Sequence, residues 1–450
     1  MGIGMRRVGI GMRLSTAAAF AFCVALGSAP AAGAWTWSAP ASVSASGAGV
    51  KEPQVAANPK GDTVVAWESY SGGDWLVQAS SREPGGAWRA PVTISTAGRE
   101  TLGVRVAVAP SGRAVAVWER AGGKKGVIQA AWMSSRGAWS APEKISEGGG
   151  TAQDASVAMD SEGDAFAVWE RSSGASPSIV AAISQDGGPW GAPAVISAEG
   201  TSASDPQVAA AARGEAVAVW DTLDGPVQAA SGSVGAGWAA PLALSSAVGD
   251  PGSVQVAARG DGEAVAVWQT GGRGAELASA RRTRAKGWST EARMSAGVIE
   301  EDFELRLAMN RYGLAALAAG GSLTSNTHFN TFIEGYLDAP KQSWMESERL
   351  GSGEDYERED RHTSVQSPSV SVGLGGESVI AWSYTDVSSM AVQAAISPGA
   401  PEWLAPATLS ESSEVAEHPQ LASGRAGEAV AVWVNRQPGA EAIRSATLLE

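Results

Sequence analysis

The chain has 450 residues, with 56 glycines, 22 prolines and 18 tryptophans beside only six phenylalanines and five tyrosines. Charged residues are 18% and hydrophobic ones 44%, which excludes a disordered acidic chain, a coiled coil and a collagen. A formal net charge of −14 argues against nucleic acid as a partner, because phosphate binding needs a basic face.

Residues 1–34 read as an export signal. Arg6, Arg7 and Arg13 make a positive segment, and the apolar run Leu14–Leu26 is too short to span a bilayer. Ala32-Gly33-Ala34 then offers a small-x-small cleavage site before Trp35. The expected product is secreted or held at the cell surface, and its loss of three arginines leaves it more acidic still. The Arg6-Arg7 pair fits twin-arginine export, although Gly9 stands where a bulky apolar residue is preferred. Cys23, the single cysteine, lies inside the apolar run, so the exported chain is expected to hold together by core area and not by disulfides. No later run reaches the ~18 apolar residues of a membrane-spanning helix.

From residue 35 onward the sequence repeats, which is the first property to test in a long chain. A phrase of the form G-x-A-V-A-V-W ends at Trp67, Trp118, Trp169, Trp220, Trp268, Trp382 and Trp433, and a degenerate copy, Gly313–Ala319, has lost its tryptophan. Most steps between copies are 51 residues, and the step from Ala319 to Trp382 is 63. A W-S-A-P phrase or its relic interleaves at Trp37, Trp88, Trp139, Trp190, Trp238, Trp288, Trp344 and Trp403. Between them lie V/I-Q-A-A, as at Val77-Gln78, and P-Q-V-A, as at Pro53–Ala56.

Each period therefore holds four short runs rich in Val, Ile, Trp and Ala, separated by Gly, Pro, Ser and Asp as turns require. Four strands every 40–50 residues is the spacing of a propeller blade. In A-V-A-V-W both faces of the strand are apolar, so it must lie between neighbouring blades. The glycine ahead of it suits the tight turn from the innermost strand. The region 35–450 begins with a lone W-S-A-P strand (37–44) and ends at 443–448 without one. One strand from the beginning would complete the last blade, so the expectation is an all-β, eight-bladed propeller forming a single domain, with seven blades if the degenerate copy at 299–358 is extruded. The excess length of that copy coincides with an expected acidic loop insertion at 346–362.

Fifteen of the 18 tryptophans occupy the two periodic slots, and core packing is their expected role. Burying an indole of ~200 Å² contributes roughly 5 kcal/mol at most. Trp35, Trp75 and Trp132 fall outside the slots.

Strand–turn–strand units closed by a tryptophan phrase resemble the sialidase-type propeller, whose repeat reads S-x-D-x-G-x-x-W. Ser184-Gln185-Asp186-Gly187-Gly188-Pro189-Trp190 is one residue short of that spacing, and Ser81–Trp88 keeps the length with Glu83 in place of Asp. The resemblance implies a propeller and, were the activity retained, an arginine triad for a substrate carboxylate, a Tyr nucleophile with a Glu partner and an Asp acid/base. Only fragments map onto this chain: Arg105 and Arg306 share one repeat slot, and Tyr70 and Tyr384 each follow a second strand.

One face of the ring, called the top, gathers the starts of the innermost strands and the ends of the second strands. Three sets of residues are expected there. Glu68, Glu119, Glu170 and Asp221 follow the periodic tryptophan in successive repeats and are followed in turn by Gln269; they form an anionic arc or, more simply, solvated strand ends. Gln54, Arg105, Ser156, Gln207, Gln255, Arg306, Ser369 and Gln420 share the slot after Pro in P-Q-V; they ring the channel mouth or bond neighbouring strands. The order Gln-Arg-Ser-Gln occurs twice, as duplication of a four-blade half would give. The acidic segment and the three histidines, His328, His362 and His418, make the third set, with isolated surface histidines as the simplest reading. Trp75 and Tyr70 share one hairpin and are the stacking candidates for a sugar.

No nucleophile elbow, phosphate loop, zinc motif or calcium loop is present, so no catalytic residue, metal or cofactor is assigned. The expected function is a non-catalytic binding module outside the cytoplasm, whose ligand is a polysaccharide, another surface protein or a peptide. The alternatives are a divergent sialidase-like glycoside hydrolase, which would bring Arg105, Arg306, a Tyr and two carboxylates into one pocket, and a structural spacer in a bacterial surface layer.

Overall fold

The computed structural model describes residues 35–450 apart from 48, 122–124, 148, 175, 247–251, 271–275, 295–300, 326–327, 339–343, 346, 357–362, 387, 400–401 and 438. The export signal expected at 1–34 lies outside the described residues. Among the described residues no helix is long and apolar enough to cross a membrane.

The strands form eight antiparallel sheets, one per repeat. Blade 1 illustrates the plan. Val50–Ala57 is innermost, followed by Thr63–Ser71, Asp74–Arg82 and the short outer strand Val92–Thr93. Each innermost strand packs on the innermost strand of the next blade, and that of blade 8 packs on that of blade 1. The ring is closed.

Closure is made by the two ends of the described chain. Thr36–Trp37 and Ala41–Ser42 pair antiparallel with the last strand, Ala442–Leu449, placing Trp37 opposite Leu448 and Ser42 opposite Arg444. Val43 enters one core cluster with Trp67 of blade 1 and Ile443 of blade 8. The expected pairing of 37–44 with 443–448 holds, and the count is eight blades, not seven.

The local chemistry explains the repeat. The glycine that opens each second-strand phrase has a positive φ in all eight copies, from Gly61 (96°) to Gly427 (72°), a conformation in which a Cβ is strained. The seven tryptophans that end the phrase are the largest fully buried side chains. They sit between sheets, as strands apolar on both faces require. Seven of the W-S-A-P tryptophans are partly buried and pack against the clusters, as Trp88, Trp139 and Trp190 show, and the eighth, Trp403, is a buried member of one. Of the three outside both slots, Trp132 tilts against Trp190 with ring centroids 5.9 Å apart, and Trp35 packs on the core of blade 8.

Blade 6 departs from the plan in two ways. With Ala319 in the tryptophan slot, its core is filled by Phe332 and Tyr336 from the third strand. The acidic loop expected at 346–362 is corrected over much of its length: Glu348–Tyr356 is the outer strand of this blade, nine residues long. The second and third strands, Ala315–Ser325 and His328–Asp338, are eleven residues each. A longer hairpin gives the acidic segment a partner for its backbone groups, which an extended loop would leave to water. Residues 346 and 357–362, including His362, lie outside the described residues.

Candidate functional site

Each innermost strand starts with a β-bulge. In blade 1 the register slips between Lys51 and Gln54, in blade 2 between Leu102 and Arg105, and the other six blades repeat the slip. The bulge carries a residue in the left-handed region in seven blades: Glu52, Gly103, Asp154, Asp205, Ser253, Ser367 and His418. A bulge re-aims the side chains beside it, and here it turns the slot residue toward the axis.

The result is a cavity of about 400 Å³ at the top of the channel, lined by Gln54, Arg105, Gln207, Gln255, Arg306 and Gln420 together with Glu52, Glu304 and His418. Six of the eight slot residues thus converge. The other two bond neighbouring strands: Ser156 Oγ accepts from Val208 N (3.3 Å) and Ser369 Oγ from Leu421 N (2.9 Å). Those bonds are half a turn apart around the ring. The arginines obey the same two-fold relation, Arg105 donating to Val104 O (3.0 Å) and Arg306 to Leu305 O (2.8 Å). The duplicated Gln-Arg-Ser-Gln order is therefore also a duplicated geometry.

Desolvation lowers the pKa of Arg105 below its ordinary value, and the positive charge of Arg306 lowers it further. The nearest carboxylate to Arg306 is Glu304, at 3.9 Å, and no ion pair to Arg105 occurs among the described residues. Two cations face one another across a channel mouth in an acidic protein.

The acids after the tryptophan are not solvated strand ends, which corrects the simpler expectation: Glu68, Glu170 and Asp221 are buried and Glu119 is half-buried. Across the first two strands each faces the residue at the start of the bulge. Lys51 pairs with Glu68 at 3.2 Å, Gln153 donates to Glu170 (3.2 Å) and Ser204 to Asp221 (2.7 Å). Opposite Glu119 stands Leu102, which offers nothing. Blades 5–8 carry Gln269, Gly320, Ser383 and Val434 at these positions. The acidic residues in the left-handed bulge positions, Glu52, Asp154 and Asp205, are likewise in blades 1–4. In these two positions one half of the ring carries acids and the other does not.

Burial raises the pKa of Glu119, Glu170 and Asp205, and the charge of Asp154 raises all three further. A carboxyl whose folded pKa exceeds its unfolded one binds more protons in the folded state, so its contribution to stability falls as pH rises above the unfolded pKa of about 4. Asp154→Asn keeps a side chain tolerant of the left-handed backbone and removes the shared charge. It is expected to stabilise the fold by about 0.5 kcal/mol at pH 7 and by less at pH 5. Urea midpoints at the two pH values check this; an equal gain at both would count against it.

Tyr70 and Trp75 come together at the top of blade 1, with ring centroids 5.4 Å apart and planes at 56°. Tyr70 is 49% exposed, and Lys51 Nζ lies 4.2 Å from the Trp75 ring centroid. Tyr384 instead packs into the core between blades 6 and 7. No tyrosine lines the channel cavity. Among the histidines, His418 borders the cavity, with Nδ1 3.4 Å from Ser367 Oγ, while His328 begins the third strand of blade 6. The nearest match to the sialidase-type box serves the opposite face. There Asp186 accepts from Arg113 of the preceding blade (2.7 Å), tying two blades together.

The left-handed bulge residues do not stand out in the sequence by type alone. A periodic Glu, Gly, Asp, Asp, Ser, Ser, His two positions before the slot residue is the signal that could have found them, because Gly, Asp and His enter this region most readily.

No family model matches the chain, and no curated protein does. Solved structures similar in fold include a lectin from Burkholderia pseudomallei, at 15% identity and TM-score 0.53, covering 82% of this chain and 100% of that one. Others are a polysaccharide lyase (ulvan lyase), at 10% identity and TM-score 0.46 over 76% of this chain and 92% of that one, and the intramolecular trans-sialidase from Ruminococcus gnavus, at 9% identity and TM-score 0.39 over 75% and 91%. The chain is an eight-bladed β-propeller, with a sialidase-type propeller among its structural neighbours.

Proposed function

We propose that the chain is an exported, non-catalytic carbohydrate-binding module that takes an acidic glycan on its top face. The acidic group of one sugar lies between Arg105 and Arg306, and Gln54, Gln207, Gln255 and Gln420 bond its hydroxyls. The observation that carries this reading is the pair of facing arginines, one with no ion pair among the described residues, in a cavity they share with four glutamines, Glu52, Glu304 and His418. Desolvated cations of this kind are costly unless an anion meets them, and charge-assisted bonds to guanidinium are the strong class. The Tyr70–Trp75 pair on the same face, with Tyr70 exposed and Trp75 half-buried, supplies a ring for stacking. The fold shared with a lectin supports the same reading. Hydrolysis on the sialidase plan would need a tyrosine beside the arginines, and the cavity's titratable groups other than arginine are Glu52, Glu304 and His418.

The test is a glycan array probed with residues 35–450. Wild type is expected to retain uronic-acid, sialylated or sulfated glycans, and Trp75→Ala to weaken binding by roughly 3- to 10-fold, as the loss of one aromatic contact implies. Binding that ignores the mutation would remove Trp75 from the site. Reducing ends released from a bound glycan would replace the module with a hydrolase.

A further inference from the structure

Beside the channel mouth, between blades 6 and 7, lies a cleft of about 640 Å³, within the ~300–1,000 Å³ of small-molecule sites. Its floor is Gly320-Gly321, and Ser322, Thr331, Ser364, Gln366 and Ser367 line it together with Glu304. Glu304, Ser367 and Pro368 border both the cleft and the channel cavity, so the two spaces adjoin.

The internal two-fold relation shows why the cleft is open. Half a turn away, Glu119 and Arg120 stand where blade 6 has Gly320 and Gly321. There the Glu119 carboxylate packs against Gly126 so closely that a Cβ on that glycine would have no room. Removing both side chains at Gly320 and Gly321 clears the equivalent space. Gly320 is itself confined, since a Cβ on it would come within 3.1–3.2 Å of Ile333 and Pro368. Any other residue at that position would have to push Ile333 or Pro368 aside by a few tenths of an ångström.

The lining chemistry selects the occupant. Hydroxyls and one amide stand beside the apolar Val365 and Pro368, as the two faces of a sugar ring require, and the single formal charge is the carboxylate of Glu304, which disfavours a second anion. Thr331 Oγ1 accepts from Val365 N at 2.8 Å, which leaves its own proton to donate to a ligand. We infer that the cleft holds an uncharged sugar linked to the acidic one in the channel, so that the ligand is an acidic oligosaccharide and not a single acidic sugar. This rests on the reading of Arg105 and Arg306 given above.

Isothermal titration with glucuronic and galacturonic acids, and with disaccharides joining each to a neutral hexose, separates the two assignments. The disaccharide is expected to bind wild type at least about tenfold tighter than its uronic acid, the worth of one or two further hydrogen bonds. Gln366 is exposed on the cleft wall, and Gln366→Trp plugs the cleft; the ratio of the two affinities should then fall to about one. Ser364→Tyr, plugging from the same strand, is the second variant should the first melt below wild type. A ratio near one in wild type, or an undiminished ratio in a plugged variant that melts normally, overturns the cleft alone. Failure of wild type to bind any uronic acid, free or linked, overturns the channel reading and the cleft with it.

Discussion

Removing residues 35–46 is expected to lower the melting temperature by on the order of 10 °C and to make the protein associate. The segment carries Val43, 3% exposed, and part of the burial of Trp37. It also contributes bonds from Ser38 N to Thr447 O and from Val43 N to Ile443 O, both 2.8 Å. Ser44 and Ser38 add two more, accepting from Ile443 N (2.8 Å) and Thr447 N (3.0 Å). Burial worth ~3 kcal/mol and four hydrogen bonds of about 1 kcal/mol each correspond to a loss of about 2 °C or more per kcal/mol in a domain of this size. The last strand, Ala442–Leu449, would become a long edge with the wholly buried Ile443 and Leu448 uncovered, which is a template for pairing between molecules. Calorimetry and light scattering measure both effects, and a peptide of residues 35–46 added in trans should reverse part of each. A truncated protein melting within about 2 °C of wild type and staying monomeric would show that the ring does not depend on its closing strand.

Replacing Arg105 with methionine should move binding and stability in opposite directions. Methionine keeps most of the stem and its packing but removes a cation held below its ordinary pKa by desolvation and by Arg306. A charge-assisted bond to an acidic sugar is worth about 1.5–3 kcal/mol, so affinity for a uronic acid should drop roughly 10- to 100-fold. The free protein, relieved of a desolvated like charge, should unfold at higher urea than wild type. A gain in stability with a loss of ligand is the mark of a group kept for function. A variant that binds as wild type does would show that the arginines are structural, and one that loses stability would show that the guanidinium's backbone bond to Val104 outweighs its charge.

Much of the fold was legible because a propeller repeats one physical solution. The glycine, the apolar phrase and the tryptophan recur together, and the chain beginning one strand out of phase already implied closure by that strand. The channel lining was legible for the same reason, since the slot after Pro keeps one position in every copy. What escaped was non-periodic or cross-strand. Burial of Glu68 depends on Lys51 standing opposite it, and that register follows from a bulge seen only in backbone angles. The strand Glu348–Tyr356 reads as a loop in the sequence because its charges hide the alternation, and only the long hairpin beside it reveals a partner. Gly320-Gly321 simply follow, in the sequence, the degenerate copy Gly313–Ala319 that lacks the tryptophan. The loss of the acid beside that tryptophan, which opens the cleft, gains meaning only against Glu119 half a turn away.

The uneven distribution of carboxylates around the top face has a consequence for how a polyelectrolyte arrives. The acids beside the periodic tryptophan belong to blades 1–4 alone, so their share of the field across the wheel is lateral as well as axial. A negatively charged polymer drifting in from solution would be turned about the axis by that share before contact. Screening by salt would loosen that alignment within about a nanometre, so the preferred heading of the incoming strand is set by ionic strength.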